Sequence, residues 1–234
     1  MVDTTNKGTL YGVSVGPGDP ELMTLQAVRC LRACPVIAAP QTASGQMLAL
    51  EIAQGAMDLS DKTVVALRFP MTRDKEALHA AHLEAAQKLQ RYLDAGEDVA
   101  MLNLGDVSVY ATFGYLQDLL EEQGYETVML AGVPSFCASA ARLNQPLTAG
   151  MQQPLIIAPG GNAEAILEIP GSKVLMKTGR QLPETLEMLE AHGKLSRSAM
   201  VCNCGLPQEE VWPDLSRYDK HRPAGYFAII LVKE

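Results

Sequence analysis

The chain has 234 residues, 47% hydrophobic and 20% charged, which suffices for one large domain or two small ones with a sizeable core. Its formal net charge of −8 argues against nucleic acid or an anionic membrane as a partner, so any anionic substrate needs a local basic patch. The stretch Met1–Gly12 has no basic region followed by an apolar run, and no apolar stretch approaches membrane-spanning length, so a cytoplasmic protein is expected.

The first element is a β-branched run, Leu10 to Val15, that reads as a buried strand. A Gly-Pro-Gly-Asp-Pro turn follows at 16–20, and from Glu21 a helix is expected on which Leu22, Leu25, Val28 and Leu31 recur. The turn looks like a nucleotide-binding fingerprint but lacks the third glycine. Glu21 fills that slot and would place a carboxylate where a pyrophosphate should sit. No Gly-Lys-Ser/Thr follows either, so the turn suits a ligand without a phosphate chain, or none.

Strand-like and helix-like stretches then alternate. Pro35 to Ala39 reads as a strand, Gln46 to Met57 as a helix, Thr63 to Leu67 as a strand, Lys75 to Leu93 as a long helix and Asp98 to Gly105 as a strand. Such alternation implies parallel strands with crossover helices. On the long helix, His79 and His82 share a face, but no carboxylate-histidine motif accompanies them. A polar helix surface is expected there, and no metal site. Five cysteines in a chain without secretory features should be reduced thiols.

The second half differs. The stretches 154–160, 173–179, 198–205 and the terminal 226–234 read as strands separated by fewer, shorter helices, which favours a mixed sheet. The expected division is an N-terminal α/β domain, 1–130, with a parallel or mixed sheet, and a C-terminal α/β domain, 131–234, with a mixed sheet. Four strands end in glycine turns, at Gly16–Gly18, Gly105, Gly160–Gly161 and Gly205. Open α/β sheets bind ligands beyond the carboxyl ends of their strands, so a cleft shared by the two domains is the expected site. Asp106, at such a strand end, suits a ligand amine, hydroxyl or cation, or equally caps its own turn. Gly132 allows a turn, and Ser135 leads into an alanine-rich helix.

Taken in order, "VGPGDPELMTL", "FPMTRD", "LGDVSVYATFGYL", "AGVPSFCASAARLNQPL", "VLMKTGR" and "YFAIILV" resemble the tetrapyrrole methylase family over nearly the whole chain. The second and fourth of these stretches point to its C(20) branch. The resemblance implies a homodimer of two-domain α/β subunits that binds S-adenosylmethionine (SAM). It also implies methyl transfer to C(20) of precorrin-2 or its cobalt form on the route to cobalamin. Carried over residue by residue, it makes Pro17, Gly105, Asp106, Val109, Ser135, Phe136, Met176, Gly205 and Ala228 the SAM-binding residues. One departure from the family pattern is Val107, where a proline usually follows Gly-Asp. Proline fixes φ and valine does not, so the rigidity of this loop must come from elsewhere.

A sulfonium cation can be held by carbonyl oxygens and Asp106 without a basic loop, while the many carboxylates of a tetrapyrrole need cations. Arg68, Arg73, Lys177 and Arg180 are the candidates for that role. No catalytic base is legible. Tyr110 is the one candidate, on the ground that it follows the Gly-Asp loop, against the alternative that it packs at a helix start. Methylation of uroporphyrinogen III or another precorrin carbon, and a carrier that binds SAM or tetrapyrrole without turnover, are the competing readings. A ribose methyltransferase acting on RNA is disfavoured by the acidic charge.

Overall fold

Alternation along the first strand, β1 (Leu10–Ser14), sends Leu10 to one face of a sheet and Val13 to the other, and both are fully buried. In the computed structural model, which describes residues 7–72, 74–148, 150–219, 222 and 227–233 (at 180 the backbone only), the chain divides into two compact units. The first runs to Pro134 and the second begins at Ser135.

Unit 1 continues with α1 (Leu25–Ala33), β2 (Val36–Gln41), α2 (Leu48–Ala56), β3 (Thr63–Arg68), α3 (Lys75–Leu93), β4 (Val99–Asn103), α4 (Phe113–Glu121) and β5 (Thr127–Leu130). Its five strands are all parallel, in the order β3-β2-β4-β1-β5. Each central strand feeds two cores. Val36, Ala38, Val99 and Met101 pack with α3 and α4, whereas Ile37, Ala39, Ala100 and Leu102 pack with α1 and α2. A sheet covered on both faces explains why these strands read as continuous apolar runs.

The helix expected from Glu21 begins later. Asp19 accepts from the Glu21 amide at 2.9 Å and closes a single 3-10 turn, Pro20–Leu22. Thr24 then caps α1 by accepting from the Ala27 amide at 3.1 Å. The cap resets the helical phase, so Ala27 and Leu31 are buried and Leu25 is exposed. His82 also departs from expectation. It is buried, its ring stacked 4.7 Å from that of Tyr115 and tilted against Phe69 at 5.7 Å, not displayed on a polar surface. Burial and the neighbouring His79 both lower its pKa, favouring the neutral ring.

Unit 2 comprises α5 (Ser135–Arg142), β6 (Leu155–Pro159), α6 (Ala163–Leu167), β7 (Ser172–Met176), α7 (Leu182–Ala191), β8 (Ser198–Cys202), β9 (Glu210–Trp212) and β10 (Ala228–Val232). The order is β6-β7-β10-β8-β9, with β6 and β7 parallel and the other pairs antiparallel. The mixed sheet inferred from the sequence is therefore present, with the short strand β9 as an addition. Leu167, Leu182, Leu186 and Leu189 of α6 and α7 pack on Leu175, Met200 and Ile230 on one face, while α5 lies against β8 and β10.

Candidate active site

In unit 1 the carboxyl ends of β4, β1 and β5 are tied to one another. Gly16 and Gly105, both left-handed at φ 75° and 77°, bridge with mutual backbone hydrogen bonds of 3.3 and 2.8 Å. Glycine takes that conformation without the steric cost a side chain would add. Gly132 sits beside them so tightly that a Cβ there would lie 2.3 Å from the Cβ of Ser14 and 3.0 Å from the Gly105 carbonyl oxygen.

Ser14 and Asp106 fasten the loops that leave these strands. The Ser14 hydroxyl, fully buried, donates to the Leu130 carbonyl at 2.7 Å and accepts from the Val107 amide at 2.8 Å. Asp106 Oδ2 accepts from the Gly132 amide at 2.7 Å, and Oδ1 accepts from the amide (2.9 Å) and hydroxyl of Ser108. Burial by itself would raise the Asp106 pKa, but these hydrogen bonds outweigh it and the net shift is downward. The carboxylate is thus ionised at neutral pH and also acts as a turn cap. A carboxylate offers about four lone-pair directions. Three donors reach Asp106 among the described residues, so Oδ2 retains acceptor capacity that fits a ligand amine or hydroxyl.

The missing proline is explained here. Val107 buries its side chain in the core beside α4 and uses its amide to hold Ser14. A proline has no amide hydrogen to give. Loop rigidity therefore comes from a side chain on the neighbouring strand instead of from a fixed φ. Ser14 was not singled out from sequence. Its signal is a small polar side chain at the carboxyl end of a buried strand.

Pro17, Gly105 and Asp106 are buried at this edge and Val109 is half-buried, its amide donating to the Asp106 carbonyl at 3.2 Å. Tyr110 is exposed, on left-handed backbone at φ 50°. The packing role at the helix start belongs to Phe113, fully buried with its ring where a Cβ on Gly12 would lie, 2.7 Å away. Arg68 closes β3 opposite Gln41 and donates to its side-chain oxygen at 3.0 Å. Arg73 lies outside the described residues.

In unit 2, β6, β7 and β8 all run one way and β10 the other, so Gly160, Lys177, Asn203 and Ala228 share one edge of the sheet. The Thr178 hydroxyl donates to the Ala228 carbonyl at 3.0 Å, and a Cβ on Gly160 would meet the Thr178 methyl at 2.6 Å. Lys177 and Asn203 leave their strands in left-handed conformation, at φ 53° and 52°. Such backbone is uncommon outside glycine and clusters at functional sites. Desolvation of the Lys177 ammonium lowers its pKa, although the residue as a whole is exposed. The Gly205 amide donates to Glu209 Oε2 at 2.7 Å, and Glu209 in turn pairs with Arg142, whose Nε donates at 2.7 Å. Met176 and Ala228 are buried at this edge, and Gly205 is half-buried. Ser135 and Phe136 open α5, the first half-buried and the second buried. Nothing is described for the Arg180 side chain. Among the described residues no group of three or more His, Cys, Asp or Glu is placed to hold a metal. Among them, too, no helix is long and apolar enough to cross a membrane.

Two α/β units, each with a strand-end edge lined by glycines and backbone polar groups, place the chain in the two-domain α/β class, in which such edges are the usual ligand positions. The chain belongs to the tetrapyrrole (corrin/porphyrin) methylases, whose family model matches residues 9–217. Over 97% of both chains it is 32% identical to a cobalt-precorrin-2 C(20)-methyltransferase of Salmonella typhimurium. It is 35% identical to a probable cobalt-precorrin-2 C(20)-methyltransferase of Methanocaldococcus jannaschii, over 77% of this chain and 76% of that one. In fold it is similar to a uroporphyrin-III C-methyl transferase from Thermus thermophilus complexed with S-adenyl homocysteine, with TM-score 0.68 and 22% identity over 97% and 98% of the two chains.

The Ser14–Val107 link yields a quantitative expectation. Val107→Pro should cost more stability in the native background than in Ser14→Ala, where the amide has already lost its partner. The coupling should be about 1 kcal/mol, the usual net worth of such a hydrogen bond. Urea unfolding of the two single variants and the double variant measures it, and strictly additive losses would remove Ser14 as the anchor of this loop.

Proposed function

We propose that this enzyme moves a methyl group from SAM to C(20) of precorrin-2, with the cobalt-bearing form as the favoured substrate, in corrin-ring biosynthesis. The observation that carries this reading is the end-to-end match to the Salmonella typhimurium protein, 97% of each chain. The naming of cobalt in that relative and in the Methanocaldococcus jannaschii one supports the metallated substrate.

The chemistry of unit 1's strand ends fits the methyl donor. The edge presents backbone polar groups and one ionised carboxylate with acceptor capacity left, a set suited to a sulfonium compound bearing an amine and hydroxyls. In the reaction, the electron-rich meso carbon forms a bond to the methyl carbon as the sulfur–methyl bond breaks. The sulfonium becomes a neutral thioether, and the meso proton then leaves. In-line approach is a positional demand, and positioning can supply much of the rate. Gly105, Asp106 and Val109, with Pro17, are proposed to hold the donor in unit 1; Ser135, Phe136, Met176, Gly205 and Ala228 are proposed for the same ligand in unit 2. Tyr110, exposed beside the Asp106 loop, is the candidate to receive the proton.

Incubating the protein with SAM and reduced precorrin-2, with and without cobalt, and weighing the product tests the reaction. A gain of one methyl, larger in rate with the cobalt form, is expected; tetrapyrrole that stays bound and unaltered would convert the enzyme to a carrier. We also propose a cytoplasmic homodimer, supported by the family resemblance. Sedimentation should show twice the chain mass, and an active monomer would overturn it.

Arg68, Arg73, Lys177 and Arg180 are proposed to gather the substrate's carboxylates against a net charge of −8. Arg73→Ala should raise the tetrapyrrole KM and leave SAM affinity nearly untouched, because a charge pair made in both ground and transition state moves KM more than kcat. Added salt should mimic the substitution in the native enzyme, since screening weakens partly exposed pairs. Steady-state kinetics at two ionic strengths decides it; an unchanged KM would leave Arg73 a surface charge.

A further inference from the structure

α1 carries two thiols that the methyl-transfer reading does not use. Cys30 is half-buried and Cys34 is buried at 1% exposure, and their sulfurs lie 3.7 Å apart one helical turn from each other. Cys34 is the C-cap of α1, its amide still bonded to the Cys30 carbonyl at 2.9 Å while the chain turns away at φ −71°, ψ 128° into Pro35. The other described cysteines lack this arrangement: Cys137 is exposed on α5, and Cys202 and Cys204 are buried in unit 2.

We infer that Cys30 and Cys34 are a redox-active dithiol, a modification site at which exchange with a low-molecular-weight disulfide joins the two sulfurs. Cys30, the accessible member, attacks one sulfur of glutathione disulfide, forming a mixed disulfide and expelling one glutathione thiolate. Cys34 then attacks the Cys30 sulfur, forming the protein disulfide and expelling the second glutathione. The two thiol protons pass to the two released thiolates. The protein loses two hydrogens and two electrons, and one glutathione disulfide becomes two thiols.

The surroundings suit these roles. Reactive thiols sit in partly exposed, electropositive places. Arg29 and Arg32 are exposed on the same helix, and Lys62, paired with Asp61, donates to the Arg32 carbonyl at 2.7 Å and favours ionisation of Cys34. Asp98 disfavours ionisation of both thiols. The contact between the two sulfurs lowers the pKa of Cys30 against the effect of burial, and the same contact with burial raises that of Cys34. Cys30, the more exposed sulfur, is the attacking thiol and the buried Cys34 the resolving one.

Geometry also fixes how firmly the bridge holds. Residues four apart on a helix have Cα atoms about 6.2 Å apart, within disulfide range, but Cβ atoms about 5–6 Å apart where a disulfide wants about 3.8 Å. The last turn of α1 must tighten, and it can do so because Cys34 is the C-cap, already outside the helical backbone. A bridge formed under that strain is easily reduced.

The test treats the native protein with glutathione disulfide, quenches with acid, digests with trypsin and weighs the peptides. Cleavage after Arg29 and Arg32 separates Cys30 from Cys34, so an intramolecular bridge appears as Cys30–Arg32 linked to the peptide that begins at Ala33. The expected result is that linked pair, with Cys137 carrying a stable glutathionyl adduct as the unresolved control, and release of the pair by excess reduced glutathione. In Cys34→Ala the adduct should persist on Cys30. If Cys137 reacts while Cys30 stays a free thiol, or if the native protein accumulates a glutathionyl adduct on Cys30 with no linked pair, the dithiol assignment is overturned.

Discussion

The organisation of unit 1 depends on one closed circuit of hydrogen bonds. Ser14 on β1 binds the carbonyl that ends β5 and the amide that follows Asp106; Asp106 binds the amide of Gly132, two residues beyond β5. Three parallel strands with no hairpin between them are thereby locked at their carboxyl ends, where loops would otherwise move independently. Parallel strands leave each other through long crossovers, so their ends carry no turn to fix them. The circuit supplies that restraint with two side chains. Gly132 is required within it because any side chain would occupy the space of Ser14.

Unit 2 solves the same problem with different groups. Its sheet is mixed, and the outgoing ends of β7 and β8 meet the incoming end of β10. Thr178 reaches across to the Ala228 carbonyl, and the Asn203 amide donates to the Phe227 carbonyl at 2.9 Å. The loop after β8 is then fastened by Glu209, which binds the Gly205 amide and is itself held by Arg142 from α5. Burial would raise the Glu209 pKa, but Arg142 and the Gly205 amide together lower it, so this link also persists as an ion pair. In both units a carboxylate holds a glycine amide at the strand-end edge.

How much of this was legible follows from the periodicities. Fully buried parallel strands and amphipathic helices leave strong patterns, so β1, β2, β3, β4 and α3 were read with boundaries close to those observed. Side-chain caps override such patterns locally. Thr24 restarts α1 and moves Leu25 to the surface, and the sequence periodicity around Leu22 and Leu25 carries no sign of it. His82 was misread because a histidine one turn from another polar residue looks solvated until Tyr115 and Phe69, far apart in sequence, close over it. Glycines at strand ends marked both candidate edges, whereas Ser14, Thr178 and Glu209 act through partners 50 to 116 residues away or through loops, and only topology brings those together.

The double use of Asp106 constrains what any substitution there can mean. Its folded-state pKa lies below the ordinary carboxylate value, so the stability it contributes is present above an unfolded pKa of about 3.9 and is lost as pH falls through the folded value. Near neutral pH the charge is therefore permanent, and the ionised group that holds the loop circuit is the same one proposed above to meet the methyl donor. Removing it with alanine leaves the Gly132 amide and the Ser108 donors without their acceptor, so a loss of SAM affinity would mix ligand contact with loop release. Ser14→Ala separates the two, because it loosens the same loop without touching the carboxylate.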